Sequence, residues 1–423
     1  MNLSYVAVAF VLSFLQIWVF YNTLVLAVGV RNFRKSNRRR VKPPRVDFKR
    51  LPTFSVIVPV KDEEKVVGRL LDALLKLDYP SDRWEVIIVE DGSKDDTLKV
   101  CLEYAERFPC CFKLIKKPDS NGKPSALNFG LKYAVGEIVA VFDADNIPEP
   151  DILKKAAAYF VNDPSMAAVQ GRLRAINSGL NMLTKFVSLE DAVWCEAYLR
   201  GKDVLKLFVY LKGSCQFIRR SVLDAVGGFD GEALSEDMDL SVRLVERGYC
   251  VKYASDVCSW QEVPSNFREL FKQRTRWFRG TMEVALKYGR LMAKPSKRNI
   301  DAELTLLGPF VLIVSLTSYL LAFFMSLAAL KFDFVLQFLM QLTSFGTSVA
   351  LIICGLALAY ASKPRRLTNL LWLPFVYFYW CLQAFVALYA ATLIVFRRPR
   401  VWVKTEKTGI RCETFERDVN FIF

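Results

Sequence analysis

Acidic residues directly follow two apolar segments of the sequence, where they could bind a cation. The segment Trp84–Val89 runs into Asp91, and the segment Glu137–Phe142 runs into Asp143 and Asp145. Carboxylates two residues apart supply the oxygen ligands that Mg²⁺ or Mn²⁺ prefers, and the bound cation can in turn contact phosphate oxygens. An Asp-x-Asp pair is expected about once by chance in a chain of this length, and Asp is also a common turn residue.

The composition excludes several other kinds of site. The 423 residues include no His, so the sequence cannot form a Ser-His-Asp triad, an imidazole acid or base, or a zinc finger with His ligands. The ten Cys include no Cys-x₂-Cys pair, and several lie in apolar stretches, which is typical of space-filling thiols in a reducing compartment. Acid–base chemistry must therefore depend on Asp, Glu, Lys or Tyr.

The acidic residues need a scaffold, and the first part of the polar region predicts an α/β one. Short segments rich in β-branched residues alternate with stretches that have apolar residues at helical spacing. We predict strands at Phe54–Pro59, Trp84–Val89 and Glu137–Phe142, and helices at Glu63–Leu77, Asp95–Phe108 and Lys123–Ala134. Continuous apolar strands separated by helices predict a mainly parallel sheet covered on both faces, with ligands at the carboxyl ends of the strands. The region after these strands has more helical character.

Four long runs contain no charged residue, and each exceeds the ~20 residues that a membrane-spanning helix needs. They are Leu3–Val30, Leu304–Leu330, Phe334–Ser362 and Leu367–Phe396. Buried core helices are the alternative, but uncharged runs of this length are rare in soluble domains. The first run has neither a basic segment before it nor a small-residue cleavage site, so we expect it to remain as an anchor.

The formal net charge of +15 is concentrated beside these runs. The basic stretches Arg31–Arg50, Lys363–Arg366 and Arg397–Arg411 flank apolar runs, which indicates contact with membrane lipids and no nucleic-acid partner. The basic block after the first run places that end of the run in the cytosol. Six regions follow: an anchor (1–30), a basic linker (31–50), a catalytic domain (51–263), interfacial helices (264–300), membrane segments (304–396) and a basic tail (397–423).

The stretch Phe267–Leu291 alternates aromatic and basic residues beside the second apolar run. This pattern predicts an amphipathic helix at the membrane interface. The alternative is a helix of the domain whose charged residues face solvent.

Several motifs now occur in the order found in one enzyme family. They are Val56-Ile-Val-Pro-Val-Lys-Asp-Glu-Glu, Glu90-Asp-Gly-Ser, Asn121-Gly-Lys-Pro-Ser-Ala-Leu-Asn, Phe142-Asp-Ala-Asp, Gly227-Gly-Phe-Asp, Ser235-Glu-Asp and Gln273-Arg-Thr-Arg-Trp. Residues 54–280 resemble the family 2 glycosyltransferases, in particular the membrane group of cellulose, chitin, hyaluronan and poly-N-acetylglucosamine synthases. The resemblance implies a GT-A fold, which is Rossmann-like, inserted between transmembrane helices.

The resemblance also implies roles for individual residues. Asp237 would be the general base, and Asp145 with Asp143 would bind Mg²⁺ or Mn²⁺. The residues that would contact the UDP-sugar or close the site are Pro59, Asp91, Lys123, Asn128, Asp143, Glu236, Gln273, Arg276 and Trp277. Among these, Asp91 would contact the uracil, Arg276 would counter the diphosphate, and Trp277 would offer a flat face to a sugar ring.

Without the resemblance, these residues have simpler structural roles. Lys123 could be a solvated lysine at a helix start, and Glu236 with Asp237 could be an acidic first turn that complements a helix dipole. Trp277 could be an interfacial aromatic residue, a role that is compatible with sugar binding.

Three features depart from the family pattern. The motif Lys61-Asp62-Glu63 stands where the family usually has an aromatic residue and Asn, and Ser235 stands where Thr is commoner. The third feature is topology, because three crossings after the domain would put the basic tail outside the cell. The stretch Trp402–Lys407 resembles a cytosolic tail or gating motif, so we expect one segment to be re-entrant or flat, with its break at Pro374 or Gly346.

The resemblance favours an inverting, metal-dependent transfer of a hexose from a UDP-sugar by an integral protein of the cell membrane with a cytosolic catalytic domain. A processive synthase of a β-linked polysaccharide, coupled to export and served by an accessory export subunit, is the first hypothesis. The second is transfer of one sugar to a lipid such as a polyprenyl phosphate, ceramide or diacylglycerol. An inactive membrane scaffold is the third.

Overall fold

The computed structural model describes residues 3–38, 51–327, 334–361, 366–400 and 404–409. Within these residues the chain forms one eight-stranded sheet with helices packed on it. The strands are β1 (Phe54–Val60), β2 (Trp84–Glu90), β3 (Phe112–Lys116), β4 (Ile138–Val141), β5 (Ile147–Pro148), β6 (Ala168–Ala175), β7 (Gln216–Arg219) and β8 (Val251–Gln261).

The α-helices of the described residues fall into two groups. Those of the sheet domain are α2 (Val67–Leu75), α3 (Thr97–Arg107), α4 (Lys123–Leu131), α5 (Ile152–Asn162), α6 (Met182–Val193), α7 (Arg200–Val204), α8 (Arg220–Val226), α9 (Glu236–Glu246) and α10 (Phe267–Tyr288). The long apolar ones are α1 (Leu3–Arg38), α11 (Lys297–Leu327), α12 (Phe334–Ala361) and α13 (Leu373–Val395).

The sheet has the strand order β3-β2-β1-β4-β7-β6-β8-β5. Strands β3, β2, β1 and β4 run parallel; β1, β2 and β4 were predicted from the sequence, whereas β3 was not. Strand β7 is antiparallel to both β4 and β6, and β5 is antiparallel to β8, whereas β6 and β8 are parallel. The prediction of a mainly parallel sheet therefore holds for one half, and the whole sheet is mixed.

Burial explains why the strands β1, β2 and β4 of the parallel half could be predicted from the sequence. Strands β1, β2 and β4 are covered on both faces, so nearly every side chain along them is apolar and buried. On one face Phe54 and Phe142 each pack edge-to-face against Phe217, and on the other Ile57 and Ile87 pack with helix α4. Full burial of each such side chain stabilises the fold by roughly 1.5–3 kcal/mol.

The second half contains strands that the sequence did not reveal. Strands β6 and β8 carry polar and basic residues among apolar ones, and the register between them shifts at Gly171. A Cβ on Gly171 would lie 2.4 Å from the Cys215 sulfur and 2.7 Å from the Val257 carbonyl oxygen, so only glycine fits this bulge. An irregular strand lacks the continuous apolar signal that β1 and β2 show.

Four stretches of the described residues are long and apolar enough to cross a membrane, and they overlap the four uncharged runs. They are Val8–Phe33, Lys297–Leu321, Phe334–Tyr360 and Leu367–Val395. Helix α12 continues through Gly346, so no break occurs there. A 3₁₀ turn at Leu367–Trp372 precedes α13, which carries Pro374 in its first turn, so the chain changes geometry where Pro374 was expected to interrupt it.

Helix α1 packs closely on the domain through glycines. A Cβ on Gly29 would lie 1.7 Å from the Ala197 carbonyl oxygen, and one on Gly201 would lie 2.0 Å from the Val25 carbonyl oxygen. Beside this contact, the fully buried Lys202 donates to Asp301 of α11 at 2.8 Å. The first and second apolar helices are thus both joined to the sheet domain.

Candidate active site

Lys123 lies at the centre of the predicted acidic site. It is the first residue of α4, and its Nζ lies 2.7 Å from Asp143 Oδ1 and 3.2 Å from Glu236 Oε1. The same nitrogen donates to the Gly213 carbonyl oxygen at 2.8 Å. The solvated lysine considered from the sequence is therefore excluded, because Lys123 joins the turn after β4 to the start of α9.

Asp91 lies beside Lys123 at the carboxyl end of β2. It is buried, and its Oδ2 accepts a hydrogen bond from the Gly122 N–H at 3.2 Å, so adjacent residues 122 and 123 contact Asp91 and Asp143. Asp91 Oδ1 lies 3.5 Å from the Lys117 ammonium and has no hydrogen-bond partner within the described part of the chain. A buried acceptor atom of this kind can receive an N–H from a bound ligand.

Asp237 is oriented by the first turn of α9. Its Oδ1 accepts from the Ser235 hydroxyl at 2.9 Å and from the Met238 N–H at 2.8 Å. Its Oδ2 faces Gly213, where a Cβ would lie 3.3 Å from that oxygen and 3.2 Å from Lys123 Nζ. Gly213 has φ +78°, so both its backbone conformation and its surroundings favour glycine.

The electrostatic surroundings change the acidity of this group. Burial raises the pKa of Asp237 to about 6, the negative charge of Glu236 adds to the rise, and Lys123 opposes it. Burial also raises the pKa of Asp143, against the opposing effect of Lys123 and with a further contribution from Asp145. A carboxyl group with a pKa of about 6 can accept a proton effectively near neutral pH.

Asp145 is contacted by the C-terminal tail. Its Oδ2 lies 2.5 Å from Lys407 Nζ and accepts the Glu262 N–H at 3.1 Å. Lys407 also donates to the Glu262 carbonyl oxygen at 2.9 Å. Burial lowers the pKa of Lys407, but the charge of Asp145 and lesser effects of Glu63 and Asp143 outweigh it and raise the pKa. The tail ammonium is therefore held as a cation beside Asp145, one of the two predicted metal ligands.

A second tail lysine contacts the loop after β1. Lys404 Nζ donates to the carbonyl oxygens of Lys61 and Asp62 and lies 3.2 Å from Glu63 Oε1. Burial raises the pKa of Glu63 to about 7 despite the opposing charge of Lys404. Trp402 lies outside the described residues, whereas Lys404 and Lys407 both contact the catalytic domain.

The predicted metal ligands suit a cation that a nucleotide helps to bind. Within the described residues, no group of three or more His, Cys, Asp or Glu side chains could hold a metal ion. Asp143 and Asp145 offer carboxylate oxygens, and each forms an ion pair with a lysine, Lys123 and Lys407 respectively. Mg²⁺ is commonly bound by one or two carboxylates together with substrate phosphates and waters, so the two residues fit such an ion.

Helix α10 brings the Gln273–Trp277 motif to this site. A Cβ on Gly280 would lie only 2.7 Å from the Ser235 Cβ, so α10 passes very close to the start of α9. Arg276 NH1 lies 3.5 Å from the Leu234 carbonyl oxygen, and Gln273 is partly buried. The Trp277 ring, 38% exposed, faces the Arg274 guanidinium at 4.5 Å.

Two further predicted residues lie in supporting positions. Pro59 is near the carboxyl end of β1 and pairs with Val89 of β2. The Asn128 side chain donates to the Phe229 carbonyl oxygen at 2.7 Å and accepts the Phe229 N–H at 2.9 Å. Both polar atoms of Asn128 thus hold the Gly227–Phe229 turn, and the amide has a second N–H and a second lone pair in addition to those used in these two bonds.

The sequence did not single out Gly213, Gly280, Glu63, Glu262 or Lys407. Each depends on a contact between distant parts of the chain, such as Thr408 N–H donating to Glu262 Oε2 at 2.9 Å. For Lys407 a signal existed in the resemblance of the tail to a gating motif. For the two glycines the sequence gives no signal, because a glycine's neighbours are known only in the fold.

Comparisons with known proteins identify the family of this chain. The family described as "Glycosyltransferase like family 2" matches residues 52–280. The Bacillus subtilis protein "Probable glycosyltransferase YdaM" is 32% identical over 70% of this chain and 71% of its own length. A "Beta-monoglucosyldiacylglycerol synthase" of Synechocystis sp. is 34% identical over 56% of this chain, and a "Poly-beta-1,6-N-acetyl-D-glucosamine synthase" of Staphylococcus epidermidis is 30% identical over 55%. The matches span 50% and 56% of those two synthases.

A solved structure supports the fold. The mannosyltransferase PcManGT of Pyrobaculum calidifontis, solved with GDP-Man and Mn²⁺, superposes with a TM-score of 0.55 at 21% identity, covering 91% of this chain and all of that one. It is a GT-A glycosyltransferase, so the α/β sheet domain has the GT-A fold expected from the sequence. Together with the family match over more than half of the chain, these similarities establish that this protein is a family 2-like glycosyltransferase.

Proposed function

We propose that the protein transfers a hexose from a UDP-sugar, with inversion, in a reaction that requires Mg²⁺ or Mn²⁺. The observation that carries this proposal is the gathering of Asp91, Asp143, Glu236 and Asp237 around residues 122 and 123. Carboxylates held this close together without a role in binding or catalysis would be an unfavourable arrangement in a scaffold. The intact set therefore argues against the inactive-scaffold hypothesis.

The UDP-sugar donor would be bound by side chains of Asp91, Lys123 and Arg276. Asp91 Oδ1 would accept the N3–H of uracil, and Lys123 and Arg276 would bind the diphosphate. A divalent cation held by Asp143 and Asp145 would stabilise negative charge on the departing diphosphate. Lys407 and Lys123 pair with these carboxylates, so binding of a donor with its divalent cation would rearrange both ion pairs.

Asp237 would act on the acceptor. Its Oδ2 would take the proton of the acceptor hydroxyl while the hydroxyl oxygen bonds to the anomeric carbon of the sugar. The bond from that carbon to the diphosphate oxygen breaks, and its electron pair leaves with UDP. A single displacement converts an α-linked donor to a β-linked product.

We propose that this reaction takes place at the cytosolic face of the cell membrane. The four long apolar stretches and the basic residues beside them support a membrane-integral protein. The contact of Lys407 with Asp145 supports a tail on the catalytic side, which in turn requires that one of the three later segments does not cross. The 3₁₀ turn before Pro374 makes the last segment the best candidate.

For the acceptor, a growing polysaccharide is the first candidate. The similarity to a poly-N-acetylglucosamine synthase supports processive synthesis, and the partly exposed Trp277 ring would offer a flat face to a sugar ring. Export of the polymer would need an accessory subunit or an oligomer, because four apolar helices are few for a conduit.

A lipid is the second candidate acceptor, and a specific observation favours it. The similarity to a monoglucosyldiacylglycerol synthase is accompanied by an apolar cavity of about 140 Å³ between α10 and α13, next to the Gln273–Trp277 motif. A glycan would find few polar partners on such walls.

Two measurements test the proposed function. Purified protein with a series of UDP-sugars should release UDP only when Mg²⁺ or Mn²⁺ is present, and unchanged release in excess chelator would contradict the metal requirement. Labelled product should then be separated by organic extraction and by size. Label found only in a large, water-soluble product supports polysaccharide synthesis, and label found only in the organic phase supports a glycolipid.

A further inference from the structure

The apolar cavity of about 140 Å³ lies between the sheet domain and the membrane segments. Helix α6 contributes Phe186, α10 contributes Leu270 and Phe271, and α13 contributes Leu382 and Val386 to its walls. Its volume is close to the ~150 Å³ of an engineered apolar cavity that binds benzene. A site of this size and character suits a short length of hydrocarbon.

The mouth of the cavity faces the direction from which a lipid would arrive. Phe378 lines the cavity and is 67% exposed on α13, and the neighbouring Phe375 and Phe385 on that helix are also exposed. These residues belong to a stretch that is apolar enough to enter a membrane, so their solvent is expected to be the bilayer. A hydrocarbon chain could pass from the bilayer into the cavity without crossing water.

One side of the cavity is lined by a charged residue of the Gln273–Trp277 motif. Arg274 lines it, pairs with Glu190 of α6, and places its guanidinium over the Trp277 ring. The next residue on α6, Asp191, lies 3.1 Å from Lys212, which precedes Gly213 at the catalytic base. Two ion pairs on neighbouring residues of α6 thus link the cavity wall to the residue before Gly213.

Gln383 provides a second, independent sign of a ligand. Its side chain lines the cavity and is 6% exposed, and its Oε1 has no hydrogen-bond partner among the described residues. A buried acceptor without a partner is unfavourable unless something donates to it, and a hydrocarbon chain alone could not. The hydroxyl or amide N–H in the backbone of a neutral lipid could.

We propose that this cavity binds an alkyl chain of the lipid that accepts the sugar, with the polar lipid backbone next to Gln383. The proposal rests on the proposed transferase function and selects a neutral acyl lipid from its two acceptor candidates. Anchoring the chain between α6, α10 and α13 would present the lipid hydroxyl to Asp237. The walls that Phe186, Leu270 and Val386 provide would exclude a glycan from this position.

The test compares two substitutions on α13 in the full-length protein. Val386→Phe fills the cavity, whereas Leu388→Phe adds the same ring at a more exposed position of the same helix that does not line it. The probe is a diacylglycerol with a photoreactive diazirine in one acyl chain, and labelled residues are identified by mass spectrometry. We expect wild type and Leu388→Phe to be labelled at the cavity walls, and Val386→Phe to lose at least about tenfold of that labelling.

Activity distinguishes failure of this proposal from failure of the proposed function. Val386→Phe should raise the KM for diacylglycerol about tenfold while UDP binding and hydrolysis of the UDP-sugar by water stay at the wild-type level. An unchanged KM, or label only outside the cavity, would overturn the lipid site but leave the transferase function intact. A wild-type protein that neither binds UDP nor hydrolyses the UDP-sugar would instead overturn the transferase function.

Two additional variants separate blocked space from poor folding and from occupation by the tail. Leu382→Ala enlarges the cavity, so the double variant with Val386→Phe should regain labelling. Regained labelling would show that Val386→Phe acts by blocking the cavity and not by impairing folding. A variant ending after Gly409 should keep wild-type labelling. Labelling that appears only in this shortened variant would overturn the proposal, because it would identify the C-terminal residues as the occupant.

Discussion

The ammonium nitrogen of Lys407 lies 2.5 Å from Oδ2 of Asp145, although 262 positions separate the two residues in the chain. The carboxylate that would bind a divalent cation is thereby neutralised by the protein's own tail. A divalent cation that approaches Asp145 would meet the positive charge of Lys407 beside the same carboxylate, and the two cations repel each other. The tail would therefore compete with a metal ion bound by Asp145.

This competition predicts the effect of removing the tail charge. Lys407→Ala should lower the Mn²⁺ concentration that gives half-maximal UDP release by about threefold to tenfold, since loss of a partly buried ion pair is worth on the order of 1 kcal/mol. The measurement is UDP release against Mn²⁺ concentration. Lys407→Arg keeps the charge and should behave like the wild type, and identical metal dependence in all three proteins would contradict the competition.

Asp237 should be essential for transfer but not for donor binding. Asp237→Asn removes the proton acceptor and keeps the shape, so the transfer rate should fall by about 10²–10⁴-fold. The Kd for UDP, measured by calorimetry, should change less than about threefold. Ser235→Ala is the control, because it removes one hydrogen bond to Asp237 but leaves the carboxylate, and it should keep much of the activity. A fully active Asp237→Asn protein would show that another group is the base.

The raised pKa of Asp237 predicts a pH dependence. A base must be deprotonated to act, and burial together with Glu236 raises the pKa of Asp237 to about 6. kcat/KM should therefore fall about tenfold per pH unit below pH 6 and level off above pH 7. Glu236→Gln removes the neighbouring negative charge and should move the midpoint to lower pH, and a midpoint that stays in place would assign the titration to another group.

Gly213 should be needed to keep space around the catalytic base. Ala at this position would have a strained positive φ and would place Cβ 3.3 Å from Asp237 Oδ2 and 3.2 Å from Lys123 Nζ. Gly213→Ala should lower kcat by at least about tenfold. Gly248→Ala has a similar φ of +80° but no described atom near the added Cβ, so it should lower thermal stability by roughly 1–2 kcal/mol without changing kcat. Equal kcat values in the two variants would exclude a role for the Gly213 contact.

Gly280 should control how closely α10 approaches the base. An Ala Cβ would lie 2.7 Å from the Ser235 Cβ, and the required shift should destabilise the protein by about 1–3 kcal/mol and reduce activity. Gly346 in α12 also lies inside a helix, and an added Cβ there would make an ordinary contact of 3.8 Å with Val19 Cγ1, so Gly346→Ala should be neutral or stabilising. Thermal unfolding and UDP release compare the two, and a stable, active Gly280→Ala would show that the helix contact tolerates movement.

The sequence by itself established the family, the parallel half of the sheet and the apolar helices. These features are local: β1 and β2 read as continuous apolar segments because both of their faces are buried, and the long uncharged runs read as membrane segments from their length alone. The acidic motifs could also be interpreted locally, because Asp91, Asp143 and Asp145 directly follow their strands.

Contacts between distant residues were decided only by the tertiary structure. The mixed sheet depends on the antiparallel insertion of β7 between β4 and β6, and strands β6 and β8 are too polar to be recognised in isolation. The attachment of Asn128 to Phe229, the space at Gly213 and the ion pair of Lys407 with Asp145 all join segments far apart in sequence. Spacing along a chain reports periodic burial, whereas the partner of a charge or of a glycine is set by how the elements pack in three dimensions.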